Sequence, residues 1–193
     1  MKILIVEDEW LIQEGYKAML SDGDFEIVAV VGDAGEAIEI FKRLHDQIDL
    51  AIVDINIPEM DGIEVIEQFN QYCQIPCVIV TGYCDEVLIK RASNAGVFGY
   101  LQKPVDRYDL LSAISVAQER FQKLHQLQIE VVNSQKALED RKVIERAKGI
   151  LMDKFEIKEC DAMKFLQKKS KDRNKKLAEI AREIIRAEQL LNI

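Results

Sequence analysis

Up to about residue 124, short apolar runs alternate with stretches of helical periodicity. Ile3–Val6, Ile27–Val31, Leu50–Val53, Cys77–Val80 and Gly99–Leu101 are rich in valine and isoleucine and bounded by turn residues, which predicts strands. Between them, apolar residues recur at spacings of three and four. Ala34, Ala37, Ile38, Phe41 and Leu44 mark one helix, opened by Asp33-Ala34-Gly35-Glu36 in capping-box form. Ile63, Val65, Ile66 and Phe69 mark another that begins at Gly62, and a fifth follows Asp106. Five strands alternating with five helices predict a doubly wound parallel sheet with right-handed connections. Its strands are expected to be buried on both faces, because each is continuously apolar.

From Asp106 to about Asp140 there is neither glycine nor proline. Leu110, Ile114, Ala117, Phe121, Leu124, Leu127, Val131 and Leu138 recur mostly at helical spacing. This predicts a long helix that outruns its own domain. A seam interrupted by Ser134 and flanked by Gln128 and Gln135 fits a modest dimeric coiled coil, and a single helix packed on the tail is the alternative. Three helical patterns follow, at about 141–154, 158–170 and 175–191, the first able to continue the long helix. The last break falls at Asp172-Arg173-Asn174, which is capping chemistry.

Charge separates the two parts. Residues 1–120 carry nine Lys and Arg against 22 Asp and Glu, whereas residues 121–193 carry 17 against 12. The basic tail is therefore the candidate for a polyanionic partner, set against a plain solvated helical surface. No apolar run approaches the roughly 20 residues of a membrane span, and the N-terminal run is too short for a secretory signal, so a cytoplasmic protein is expected. Cys73, Cys77, Cys84 and Cys160 show no metal spacing with His45 or His125 and are expected to be free thiols.

The strand ends carry chemistry. The first strand runs into Glu7-Asp8, the third into Asp54, the fourth into Thr81 and the fifth into Lys103-Pro104. In a doubly wound sheet these groups meet at one rim, beyond the carboxyl ends of the strands. Three carboxylates so close call for a cation, and hard oxygen ligands suit Mg²⁺. A lysine and a hydroxyl facing them are what a transferred phosphoryl group needs, with the Asp54 carboxylate as nucleophile. Taken singly, the acids could be a helix N-terminal pair, Thr81 a turn residue and Lys103 a surface charge. Four matched strand termini favour the constellation.

Asp54-Ile55-Asn56-Ile57-Pro58-Glu59-Met60-Asp61-Gly62, with Leu4-Ile5-Val6-Glu7-Asp8-Glu9, Thr81-Gly82 and Tyr100-Leu101-Gln102-Lys103-Pro104, resembles the receiver domain of two-component response regulators. The resemblance implies a flavodoxin-like fold over residues 1–120. It makes Asp54 the acceptor of a phosphoryl group from a sensor histidine kinase. Asp8 and Asp54 would bind Mg²⁺ directly, Glu7 through water, and Asn56 through its backbone carbonyl. Thr81 and Lys103 would contact the phosphate, Thr81 and Tyr100 would form the switch pair, and a cis Lys103–Pro104 bond is expected. Glu7 and Ile57 depart mildly from the commoner aspartate and methionine.

In the tail, Arg141, Ile144, Ala147-Lys148-Gly149-Ile150-Leu151-Met152, Ala162, Leu166, Arg173-Asn174-Lys175-Lys176-Leu177-Ala178 and Ile180-Ala181 resemble the ANTAR domain. The family implies a small all-α three-helix module over 138–193, after a helical linker at 121–137, that binds RNA hairpins in nascent leader transcripts. Arg141, Lys148, Arg173, Asn174 and Lys176 are the candidate RNA contacts. Gly149 suggests close approach of a helix or ligand, and Met163 stands where an aromatic residue often occurs. The combined expectation is a phosphorylation-controlled transcription antiterminator, a switch rather than an enzyme, that pairs as a homodimer on activation. A DNA-binding response regulator is the rival, although no recognition-helix signature is evident.

Overall fold

A computed structural model describes residues 1–82 and 86–191. The strands are β1 (Lys2–Val6), β2 (Glu26–Val31), β3 (Leu50–Asp54), β4 (Cys77–Thr81) and β5 (Gly99–Gln102). The helices are α1 (Trp10–Leu20), α2 (Ala34–Leu44), α3 (Gly62–Asn70), α4 (Glu86–Asn94), α5 (Arg107–Phe155), α6 (Glu159–Arg173) and α7 (Leu177–Leu191). The chain divides into two compact units, Met1–His125 and Gln126–Ile193.

The first unit is a five-stranded parallel sheet in the order β2-β1-β3-β4-β5. Alternation along β1 shows how it is filled. Leu4 and Val6 join Phe41, Val53, Ile66, Phe69 and Ile79 in one core layer. Ile3 and Ile5 join Tyr16, Leu20, Ile52, Val78, Leu110 and Ile114 in the other. The fold is the doubly wound one that the periodicity predicts. One expectation is corrected: only β1, β3 and β4 are buried throughout or nearly so, while β2 and β5 are half-buried. They are the two edges, covered by a neighbouring strand on one side only.

Caps start the helices where the sequence placed them. The Asp33 carboxylate accepts from the Glu36 amide at 2.8 Å, and Asp61 accepts from the amides of Ile63 and Glu64 at 2.8 and 3.1 Å. The Lys103–Pro104 peptide is cis.

α5 is one uninterrupted helix of 49 residues. From 122 to 139 every side chain on it is exposed, so this stretch is not packed on the helices that follow. Beyond it, Ala147 and Leu151 of α5, Ala162 and Leu166 of α6, and Ile180 and Ala181 of α7 form a core of their own. Gly149 is not a point of close approach, since a Cβ there would meet nothing within 4 Å. The break after α6 is built by Asn174 in the left-handed conformation (φ 49°, ψ 42°). Its amide donates to Lys171 O and that of Lys175 to Ser170 O, so the capping closes α6 instead of opening α7. Cys73, Cys77 and Cys160 are free thiols, and Cys84, like Asn192 and Ile193, lies outside the described residues.

Candidate functional site

β1, β3, β4 and β5 end at one rim of the sheet and deliver their terminal side chains together. Carboxylate oxygens of Glu7, Asp8 and Asp54 all lie within 4.8 Å of one another. Glu7 and Asp54 are buried, and Asp8 is exposed at the mouth. Lys103, carried in by the turn after β5, donates to Asp54 Oδ2 at 2.8 Å and to Glu7 Oε1 at 3.1 Å. Thr81 is buried at the end of β4, and its carbonyl accepts from the Lys103 amide at 2.8 Å. Asn56 is exposed in the loop after β3, and its amide donates to Asp54 Oδ1 at 3.3 Å. Tyr100 on β5 is half-buried against the layer that holds Phe41 and Phe69.

Gly62 fixes the height of Asp54. Its amide donates to Ile55 O at 2.9 Å, and a Cβ at this position would collide with the carbonyl oxygen of Asp54. Only glycine lets α3 start against the backbone of the acidic strand end.

Burial pushes the Glu7 carboxyl above the usual carboxylate range, and the Lys103 hydrogen bond opposes that rise without cancelling it. Burial draws Lys103 downward, but its bonds to Asp54 and Glu7 outweigh this and hold it above its ordinary value. The ammonium stays charged and serves as counter-ion to two buried acids. The acidic set also fits a hard divalent cation: its donors are all oxygens. Glu7 Oε2, 2.9 Å from the Lys103 ammonium but outside hydrogen-bonding geometry, is buried with no hydrogen-bond partner.

The residues expected to meet RNA differ in exposure. Lys148 is buried, and its ammonium bridges Glu145 at 2.8 Å and Glu159 at 2.6 Å, tying α5 to α6. Those bonds hold it above the ordinary lysine value, so the residue expected at the RNA is engaged in a bridge between two helices in this structure. Arg173 and Lys175 converge on Glu183 at 2.7 and 2.5 Å, which keeps that carboxyl below its usual range, the Lys175 bond contributing most. Arg141 and Lys176 are exposed, as is Asn174 at its left-handed turn.

Packing creates a basic face that the linear sequence did not point to. Lys142 and Arg146 on α5 and Arg182 and Arg186 on α7 line a groove of about 410 Å³ with Val143 and Ile185 at its floor. Arg182 holds Asp140 at 2.5 Å. Each pair sits at i, i+4 on its own helix, the signal available in the sequence, but only the contact of α5 with α7 sets the pairs side by side. A missed aromatic is Phe165, 40% exposed, with the Lys169 ammonium 5.7 Å above its ring. It stands two residues beyond Met163.

Comparison with known proteins follows the same division. The family model of the response regulator receiver domain matches residues 3–115, and that of the ANTAR domain matches residues 133–185. The transcriptional regulatory protein PdtaR of Mycobacterium tuberculosis is 38% identical over 187 residues, spanning 95% of this chain and 90% of that protein. The chemotaxis protein CheY of Treponema pallidum is 28% identical over 115 residues, 59% of this chain and 80% of its own. A receiver domain protein of Clostridium thermocellum, known from a crystal structure, superposes with a TM-score of 0.58 at 30% identity. The match covers 64% of this chain and 98% of that one. No helix among the described residues is long and apolar enough to cross a membrane.

Proposed function

The chain belongs to the response regulators that join a receiver domain to an ANTAR domain, and from that membership we propose that phosphorylation of Asp54 controls RNA binding by the C-terminal unit. The observation that carries the reading is the convergence of Glu7, Asp8, Asp54, Thr81 and Lys103 at one sheet rim. A carboxylate oxygen of Asp54 attacks the phosphorus of a phosphohistidine on a sensor kinase; the P–O bond forms as the P–N bond breaks. Glu7, Asp8, Asp54 and the backbone carbonyl of Asn56 would hold Mg²⁺, which neutralises charge on the transferred group. Lys103 turns from Asp54 and Glu7 to a phosphoryl oxygen, and the Thr81 hydroxyl donates to another. Tyr100 follows Thr81 inward and carries the change to the surface of β5.

The output is antitermination through RNA hairpins in nascent leader transcripts. Its support is the ANTAR match together with the groove between α5 and α7. Among the described residues, Lys142, Arg146 and Arg186 have no acidic side chain within ion-pair distance. Arg141, Arg173, Asn174 and Lys176 add contacts at the rim, and Lys148 positions α6 on α5. The assigned domains are 1–120 for the receiver, 121–137 for the linker and 138–193 for the RNA-binding module.

Binding of a stem-loop RNA tests this against the DNA-binding alternative. The double variant Arg146→Ala/Arg186→Ala is expected to bind more weakly, with a salt slope shallower by about two, one per lost phosphate contact. An unchanged slope removes the groove from the account. Displacement of the hairpin by equimolar duplex DNA would favour the DNA-binding reading.

A further inference from the structure

Tyr16 lies in the middle of α1, its side chain facing the layer that holds Ile5, Ile52 and Val80. It is only 3% exposed, and its hydroxyl is buried with no hydrogen-bond partner. Among the described residues one other buried side-chain oxygen shares that condition: Oε2 of Glu7. A phenylalanine would fill the same apolar space without stranding a hydroxyl. The position is costly for a tyrosine unless the hydroxyl acquires a partner in another state of the site.

The surroundings identify that partner. Tyr16 and Lys103 line one cavity of about 420 Å³ with Ile12, Met19 and Val105. Lys103 is the group that now holds Glu7. Burial pushes the Tyr16 hydroxyl above its ordinary value, and the negative charge of Glu7, ahead of Asp54 and Glu9, adds to that rise. Gln13, one turn before Tyr16, donates to the Glu7 carbonyl at 2.6 Å, so this face of α1 already holds the Glu7 backbone.

We propose that Tyr16 is a positioning residue for Glu7: its hydroxyl donates to the Glu7 carboxylate, directly or through one water, once Lys103 turns toward the phosphoryl group. The proposal rests on the phosphoacceptor reading above. In the resting arrangement Lys103 supplies the donor that orients Glu7. With Lys103 drawn away, the protein donor left to Glu7 among the described residues is the Glu9 amide, 3.3 Å from Oε1. A donor behind a metal-holding carboxylate fixes its orientation and with it the affinity of the site.

The test uses the full chain with Mg²⁺ alone and Mg²⁺ with beryllofluoride as probes. The readout is the fluorescence of Trp10, the single tryptophan, exposed three residues from Glu7, with calorimetry as a second measure. Tyr16→Phe is expected to weaken Mg²⁺ binding about tenfold in the presence of beryllofluoride, within the range for such supporting groups. The loss should be smaller with Mg²⁺ alone, and the unfolding midpoint should be equal or higher. Tyr16→Leu, which also removes the ring, is expected to match Tyr16→Phe in metal affinity while lowering the midpoint. Equal Mg²⁺ affinity in Tyr16→Phe and the parent under both conditions overturns the proposal, as does a loss confined to Tyr16→Leu, which would make the role one of packing. A parent chain that binds no Mg²⁺ in either measurement overturns the phosphoacceptor reading itself.

Discussion

Gly62 packs its α-carbon against the carbonyl of Asp54, and the consequence can be weighed. Alanine at the start of α3 would favour the helix by up to about 1 kcal/mol. The added methyl would collide with the Asp54 carbonyl oxygen, however, and crowding of that kind costs about 1–3 kcal/mol or more. Because the obstacle is backbone, crowding should win. Gly62→Ala is expected to lower the thermal unfolding midpoint of the receiver unit and to slow acceptance of phosphate from a small-molecule donor such as acetyl phosphate. A midpoint at or above the parent's, measured by circular dichroism, would show that the strand end can yield. At this scale the gathering of side chains at the sheet rim was legible because strand ends are local: Glu7, Asp8, Asp54, Thr81 and Lys103 each follow or close a short apolar run. Lys148 was not. Its partners Glu145 and Glu159 come from a helical turn and from a second helix, and nothing in a lysine's own neighbours announces that it will be buried. The Tyr16 hydroxyl was hidden for the same reason, since its significance lies in what surrounds it.

At the scale of elements, the stretch of α5 from 122 to 139 demands an explanation. Most helical stability in proteins comes from packing of an apolar face, and every side chain of this stretch is exposed. Leu124, Leu127, Val131 and Leu138 are 40–56% exposed and, with Ser134 counted between the last two, recur at alternating spacings of three and four. The spacing is that of a two-stranded seam, with Ser134 as its one polar core position. We infer that a second copy covers it. Leu127→Lys/Val131→Lys is expected to remain monomeric under conditions where the parent pairs, with an unfolding free energy within about 0.5 kcal/mol of the parent monomer because both side chains are exposed. Sedimentation velocity with beryllofluoride and Mg²⁺ decides: equal masses for the two proteins would place any dimer contact elsewhere. The helix itself was legible from the absence of glycine and proline. Its end at Phe155 lies one residue beyond the pattern read at 141–154, and what the sequence left open was whether the two were one helix, which the lack of a stop signal at Asp140-Arg141 allowed. Asn174 shows a related limit, since asparagine serves both ends of helices and only the backbone turn revealed which one.

At the scale of the molecule, two units with separate cores share one helix, and opposite charge balances divide between them. The acidic receiver is poor at holding a polyanion, and the basic tail is suited to it. The doubly wound parallel sheet and the three helical patterns of the tail were both legible from periodicity, whereas the strand order and the groove of Lys142, Arg146, Arg182 and Arg186 required the folded chain. If phosphorylation pairs two such tails, each groove gains the effective concentration of its neighbour without any new contact to RNA. Coupling of this kind between distinct sites commonly amounts to about 5- to 150-fold in affinity. The most direct measurement is the affinity of the full chain for one stem-loop RNA at fixed salt, with and without beryllofluoride plus Mg²⁺. The expected result is binding at least about fivefold tighter in the activated state, lost in Asp54→Ala. Equal affinity in both states would contradict control of RNA binding by Asp54.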